Sequence, residues 1–390
     1  MLLQKLRNLF LPQPAHSKNP VAPAQPVLLS QLLDRWQEHE WKEGSLALGT
    51  MNNYMSVVRT LKNMPVSRMP VQSIDTHNLQ VLFDSLSTGY YRLDGGFVPG
   101  YTHSHILAFS AVLQGAFRYA VYPCGIISEN PMQQVVLHKR MDEAGLFPSE
   151  RQSEHSMKVL MPEQFQAIVK YLKEKKNPAV LPIVIAYYTG LRLGEVCALT
   201  WEDIDFREQC MTIRRSVMLN RLEKNRLEFT TTKRNKIRCV YFGERLKNML
   251  LKAKEEQEKN RERIGKEYKY NYYEQVVVNN HFHYPLYTRI ETQNIPESFQ
   301  KINLVCVRED GAYESRRTVS NVCFRLKNQL PGLENFHFHM LRHTYTSNLL
   351  QAGARPKDVQ ELLGHSDIST TMNVYAHADK EELKKIVGRL

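Results

Sequence analysis

The chain lacks any apolar run long enough to span a bilayer. Its longest, Ala179–Tyr188, has ten residues, against the ~20 that a transmembrane helix requires. Met1–Leu11 is interrupted by Lys5 and Arg7, and no small-residue cleavage site follows, so a secretory signal is not expected. Cysteine is scarce and unpaired. The six (Cys124, Cys197, Cys210, Cys239, Cys306 and Cys323) form no C-x-x-C motif, which excludes a zinc ribbon and a disulfide scaffold. They read as buried thiols of a reducing, cytoplasmic compartment. With 18 glycines, 18 prolines and no internal repeat, a collagen-like chain is excluded. Apolar residues make up 42% and aromatics 9%, which argues against disorder. A chain of 390 residues is long enough for two or three domains, each with its own core.

What the chain has is unevenly placed charge. Lys and Arg number 52 against 40 Asp and Glu, a formal net charge of +12. Residues 1–150 carry 12 basic and 11 acidic side chains, whereas residues 151–390 carry 40 and 29. Arg207–Lys247 alone holds 12 basic residues against 4 acidic. A surplus concentrated in one half points to a polyanion bound on a surface, nucleic acid first; a soluble basic domain with a solvated face is the bland reading.

Residues 1–27 are proline-rich and read as a tail. Helical periodicity then begins: Ser30 can cap a helix with Leu32, Leu33 and Trp36, Thr50 precedes Tyr54, Val58 and Leu61, and Thr76 precedes Leu79, Leu82, Phe83 and Leu86. After a glycine-rich turn from Gly89 to Gly100, Ile106, Phe109, Leu113, Phe117 and Ala120 share one face, up to Pro123 and Gly125. Residues 28–138 are thus expected to form a compact α-bundle, and the polar stretch 139–158 a linker. A second domain, 159–390, opens on a helix with Pro162 in its first turn. An apolar helix (Val180–Tyr188) follows, then strands at Met211–Ile213, Leu227–Thr231 and Ile237–Phe242, a charged helix over Glu244–Arg263, and helices from His339 to Ala352, Pro356 to Leu363 and Glu381 to Val387. Residues 270–335 carry no assignable pattern. The expected class is mainly α with a small antiparallel β-sheet.

Three clusters in the basic half carry chemistry. In Thr189-Gly-Leu-Arg192-Leu-Gly-Glu195, two glycines bracket the arginine so that the backbone can turn, and Glu195 can hold the guanidinium from the same helix face; alone, this is equally a helix-end salt bridge. In His339-Met-Leu-Arg342-His343, the i, i+3, i+4 spacing puts two histidines and an arginine on one face. Met340 stands where a zinc-protease helix needs Glu, so that reading fails, and the set suits an anionic oxygen. The third cluster is Leu362-Leu-Gly-His365-Ser followed by Thr370-Thr-Met-Asn-Val-Tyr375.

Taken in order, Arg192, Lys233, His339 with Arg342, His365 and Tyr375 resemble the motif set of the tyrosine recombinases, or phage-type integrases. The contexts are TGLRLGE, HMLRHTYTS and LLGHSDISTTMNVY, and the likeness spans about residues 28–380. Within the family it leans to the conjugative-transposon and temperate-phage integrases. The resemblance implies a helical, SAM-like core-binding domain over 28–138 and an α+β catalytic domain with a C-terminal tail over 159–390. It also implies a transesterification that needs neither metal nor ATP nor any other cofactor. Tyr375 would be the nucleophile, Arg192 and Arg342 the phosphate clamp, His339 the general base, His365 a phosphate donor, and Lys233 the general acid, with Lys236 competing for that role. Glu195 and His343 would support the site, and Arg214, Arg215, Arg234, Lys236 and Arg238 would contact DNA. Expected partners are double-stranded attachment-site DNA, three further copies in a tetramer that passes through a Holliday junction, and an excisionase-type accessory factor; no membrane is expected. The enzyme would act in the bacterial cytoplasm, at the nucleoid. The tail, with Leu383, Ile386 and Val387, would dock on a neighbouring protomer, the alternative being packing on its own domain. The resemblance also leads one to expect an arm-site-binding domain ahead of Leu28, for which 27 residues are too few, so either arm binding is absent or the sequence starts late. A type IB topoisomerase shares the nucleophile and clamp but acts as a monomer, and a non-catalytic DNA-binding relic is opposed by the filled catalytic positions.

Overall fold

The computed structural model describes residues 26–43, 46–137, 159–232, 236–278 and 281–364. The chain divides into two compact units, Met1–Ser45 with Asn53–Arg140, and Leu46–Asn52 with Met141–Leu390.

The first unit is helical because its apolar residues recur at helical spacing and find one another. Helices α1 (Leu29–Glu43), α2 (Leu48–Lys62), α3 (Thr76–Thr88) and α4 (His103–Val121) contribute Leu32, Leu33, Trp36, Val58, Leu61, Leu79, Phe83, Leu86, Phe109, Leu113 and Phe117 to a single core. Each such side chain contributes about 1.5–3 kcal/mol on burial, far more than helix propensity supplies. The caps differ from those expected. Ser30 and Thr50 lie inside helices that begin at Leu29 and Leu48. The cap of α3 is Asp75, not Thr76: Asn78 N–H donates to Asp75 Oδ1 at 2.8 Å, and Asp75 N–H donates back to Asn78 Oδ1 at 3.1 Å. The glycine-rich turn is an antiparallel hairpin, β1 (Gly89–Tyr91) with β2 (Phe97–Pro99), in the register Tyr90↔Val98.

The second unit places helices around a bent antiparallel strand pair. Helices α5 (Pro162–Glu174), α6 (Val180–Thr189) and α7 (Leu193–Cys197) come first. Proline at the first turn of α5 is harmless because that N–H has no intrahelical partner. Strands β3 (Ile204–Asp205), β4 (Cys210–Ile213) and β7 (Arg238–Tyr241) form a three-stranded sheet in the order β3-β4-β7. Strands β5 (Arg215–Asn220), β6 (Arg226–Thr231), β8 (Lys269–Tyr273), β9 (Val276–Val278), β10 (His281–Ile290) and β11 (Gln300–Ile302) form a second sheet, ordered β11-β8-β10-β6-β5 with β9 on β10. Helices α8 (Glu244–Ile264), α9 (Arg316–Gln329), α10 (Phe338–Gln351) and α11 (Pro356–Leu363) complete the unit. Its core gathers Ile183, Ile185, Ala186, Val196, Met211, Val240, Leu246, Val319, Phe336 and Leu341.

Ile213 pairs with Arg238 and Arg215 with Thr231. The tight turn of the β5–β6 hairpin is at 221–225. Lys233 and Arg234 lie outside the described residues, as do His365, Tyr375 and the expected helix from Glu381 to Val387. Segment 270–335, unassignable from its pattern, supplies most of the second sheet and α9. The cysteine expectation holds in part: Cys197, Cys306 and Cys323 are buried, Cys210 is half-buried, and Cys124 and Cys239 are exposed.

Candidate active site

Gly190 ends α6 in the left-handed region, with φ 65°, and a Cβ there would come within 2.5 Å of the Tyr345 ring and 2.6 Å of Leu363. Glycine therefore permits both the turn and the close approach of α10 and α11. Gly194 serves packing, not the turn: it lies within α7, and a Cβ would meet Ser216 Oγ at 2.3 Å and the Val217 carbonyl at 3.0 Å.

Arg192 is the N-cap of α7, one residue before the helix. Glu195 therefore reaches back to it instead of sharing a helix face. Its Oε2 accepts the Arg192 N–H at 3.0 Å and its Oε1 accepts Arg192 Nη1 at 3.0 Å. The same carboxylate receives Arg238 Nη1 at 3.1 Å and Nη2 at 2.7 Å. Four donors saturate a carboxylate. Burial works against its charge, but Arg238 and then Arg192 outweigh it and hold the Glu195 carboxyl below its usual range.

Arg342, on α10, is 2% exposed. It donates from Nη1 to the Gly190 carbonyl at 2.7 Å and from Nη2 to the Leu363 carbonyl at 2.8 Å. Arg192 Nη2 reaches the Gly364 carbonyl at 3.3 Å, and Arg238 Nε the Leu362 carbonyl at 3.1 Å. Three guanidiniums thus converge on three consecutive carbonyls at the C-terminal end of α11, where the helix dipole is negative, immediately before His365. Burial, then the facing Arg192 and Arg238, lower Arg342 to about 9, so it remains charged at neutral pH. Glu195 neutralises one of the three charges. The remaining two match the doubly negative phosphorane through which a phosphodiester passes in transesterification.

His339 is the second residue of α10, near the positive end of the helix dipole. Desolvation, then His343, Arg342, Arg192 and His337, push it down to about 4. All these causes act in one direction, so the imidazole is neutral at neutral pH, although the residue is exposed. Its ring lies 4.9 Å from that of His343, edge to face. Burial, His337 and Arg342 lower His343 as well.

The DNA-contact set is corrected at one member. Arg238 is not a surface cation: its side chain is 10% exposed and all its donor nitrogens point inward. Arg214 and Arg215 both grip the buried Asp203, Arg214 from Nε at 2.9 Å and Arg215 from Nη2 at 2.6 Å. Arg214 stays half exposed. Lys236 is exposed, and its carbonyl accepts the Thr232 hydroxyl. Asp203 and the inward role of Arg238 escaped the sequence reading because their partners lie 11 to 124 residues away. Only the abundance of arginine hinted that some would need a buried anion. An apolar cavity of about 780 Å³, lined by Phe165, Tyr187, Met249, Tyr345 and Leu349, includes none of these arginines and is not the site.

Residues 158–382 match the model of the phage integrase family. The chain is 26% identical over 376 residues to a protein of Caldanaerobacter subterraneus named tyrosine recombinase XerC-like, covering 94% of this chain and 83% of that one. Its fold resembles that of the Tn1549 transposon integrase in complex with a circular intermediate DNA, with TM-score 0.60 and 19% identity over 93% of this chain and 99% of that chain. It also resembles a lambda integrase dimer bound to a core site, with TM-score 0.52 and 17% identity over 91% and 79%.

Proposed function

Given that the chain belongs to the phage integrase family, and is therefore a tyrosine recombinase that exchanges DNA strands by transesterification, we propose that its reaction centre is the arginine cluster together with Tyr375. The observation that carries this assignment is the meeting of Arg192 and Arg342 at the end of α11, eleven residues before Tyr375.

The Tyr375 phenol attacks a phosphodiester. The Oη–P bond forms as the P–O5′ bond breaks, leaving a 3′-phosphotyrosyl link and a free 5′-hydroxyl. The phenol, with an ordinary pKa near ~10, gives its proton to the neutral imidazole of His339. The departing O5′ takes a proton from Lys233, with Lys236 as the competing donor. Arg192 and Arg342 stabilise the charge that grows on the non-bridging oxygens, His365 adds a hydrogen bond, and Glu195 and His343 hold the set in place. Attack by the 5′-hydroxyl of a second duplex reverses the chemistry and joins the strands. Two such exchanges pass through a Holliday junction and integrate or excise a mobile element.

Double-stranded attachment-site DNA is the substrate. A lambda integrase tetramer bound to a Holliday junction has a similar fold, with TM-score 0.53, which supports a homotetramer here. The first unit is the core-binding domain, 139–158 the linker, and 159–390 the catalytic domain. Its C-terminal segment, with Leu383, Ile386 and Val387, docks on a neighbour. An excisionase-type factor sets direction, and the work is done in the bacterial cytoplasm at the nucleoid. Arg214, Arg215, Arg234 and Lys236 supply phosphate contacts.

The test is a nicked suicide duplex bearing the element's end, incubated with wild type and with Tyr375→Phe. A covalent DNA adduct with wild type only is expected, and its absence sinks the assignment. Strand exchange between two duplexes, as opposed to supercoil relaxation alone, separates a recombinase from a topoisomerase.

A further inference from the structure

We propose that Arg238 is a positioning residue: it fastens the end of α11 to Glu195 and thereby to the phosphate-binding Arg192. This inference rests on the recombinase assignment above and adds a residue to it.

Three arginines hold the α11 end, but they are not equivalent. Arg192 makes its contact there through one long bond, 3.3 Å to the Gly364 carbonyl, and its side chain is 30% exposed. Arg342 gives one nitrogen to Leu363 and one to Gly190. Both also carry the phosphate-binding role, so their N–H groups are divided between α11 and the phosphate. Arg238 has no such conflict. Its fork is closed on both oxygens of Glu195, its Nε is spent on the Leu362 carbonyl, and its side chain is 10% exposed. Its stem also packs beside Gly364, where an added Cβ would lie 3.3 Å from Arg238 Cδ. Glycine in the left-handed region, φ 65°, lets the chain leave α11 next to this arginine and lead directly into His365.

The geometry sets a division of labour. Arg192 and Arg342 serve the phosphate as well as α11, while Arg238 keeps the helix end fixed to the carboxylate that aims Arg192. Strand β7 supplies the anchor, because the pairing of Arg238 with Ile213 holds its backbone in the sheet. Lysine cannot replace it, since a single ammonium cannot reach a carbonyl and both carboxylate oxygens at once. The charged groups facing Glu195 are Arg192 on the α7 cap, Arg238 on β7 and Arg342 on α10. Of these, Arg238 does most to keep the carboxyl ionised.

The experiment compares full-length wild type, Arg238→Met, Arg238→Lys and Arg214→Gln on the nicked suicide duplex. It measures binding as a function of salt and single-turnover adduct formation at saturating enzyme as a function of pH. Arg238→Met and Arg238→Lys are expected to bind with the wild-type salt slope and to form adduct at least ~10-fold more slowly, whereas Arg214→Gln lowers the slope by about one ion. The acid limb of Arg238→Met should move to higher pH, because Glu195 loses its main neutralising partner, and adding Glu195→Gln should abolish that movement. A slope lowered by about one ion in the Arg238 variants, or adduct formation at the wild-type rate, overturns the proposal. If Arg238→Met does not fold, Arg238→Lys decides, since it keeps the charge and loses the fork. Wild type that forms no adduct removes the recombinase assignment itself, a result distinct from a fast Arg238 variant.

Discussion

At the residue scale the site is organised by guanidinium geometry. Arg342 donates to two carbonyls from a nearly solvent-free position, and lysine would supply the charge without the planar fork. Arg342→Lys is therefore expected to slow adduct formation by about 100- to 1,000-fold, the loss seen when one preorganised oxyanion donor is removed. DNA affinity should change little, and single-turnover kinetics beside a binding isotherm would check both. The pKa shifts also predict acid sensitivity. His339 is lowered from 6.5 to about 4, so between these values the unfolded chain binds a proton that the folded chain refuses, and stability falls as pH drops through that window. Glu195 is also lowered; its contribution is complete above its unfolded pKa and is lost as pH falls through the folded one. The thermal midpoint should therefore decline from about pH 6.5 downward, and His339→Gln should flatten the upper part of that decline. Of the site, Arg192, His339 and Arg342 were legible because each sits in a distinctive local string. Arg238 was legible only as a basic residue, since its partners Glu195 and Leu362 lie 43 and 124 residues away.

At the element scale, helix ends do the positioning. The last turn of α6, the cap of α7, the first turn of α10 and the end of α11 meet around Gly190 and Gly364. Gly190→Ala would impose a left-handed alanine, costing roughly 1–2 kcal/mol, and would also press a methyl group against Tyr345 and Leu363. A drop of at least ~2–4 °C per kcal/mol is expected in the melting temperature of a unit this size, with a loss of adduct formation, because Arg342 bonds to the Gly190 carbonyl. Helices α5, α6, α8, α10 and α11 were readable to within a residue or two, since each pairs an apolar stripe with a proline or glycine at its boundary. The caps were less readable: Asp75 took the place expected of Thr76 because a carboxylate with Asn three residues on makes a reciprocal pair. Strand β5 and the sheet built from 269–302 were missed, because β10 pairs with β6, β8 and β9 and such long-range pairing leaves no short-range period.

At the scale of the whole molecule, the net charge of +12 overstates the surface available for DNA. Arg226 is bound to the buried Glu228, and Arg238 is spent on Glu195. Binding to attachment-site duplex should still weaken steeply with salt, as log K falls by about 0.9 per phosphate neutralised for each decade. Arg214→Gln with Lys236→Gln should reduce the slope by about two ions, and a filter-binding titration from low to moderate salt would check it. As an internal control, Ile183→Ala, deep in the second unit's core, should cost about 2–5 kcal/mol of stability and leave that slope unchanged, as denaturant unfolding and the same titration would show.

The order Arg192, Lys233, His339, Arg342, His365, Tyr375 and the apolar periodicities were determined by the sequence alone, because residue type and helical spacing are local properties of a chain. Which arginines are tied to Glu195 and to the carbonyls at the end of α11 was decided only by the tertiary structure. A guanidinium's role depends on whether an anion reaches it in space. Glu195 reaches Arg192 across a cap and Arg238 across a strand, and only the folded chain brings those two together.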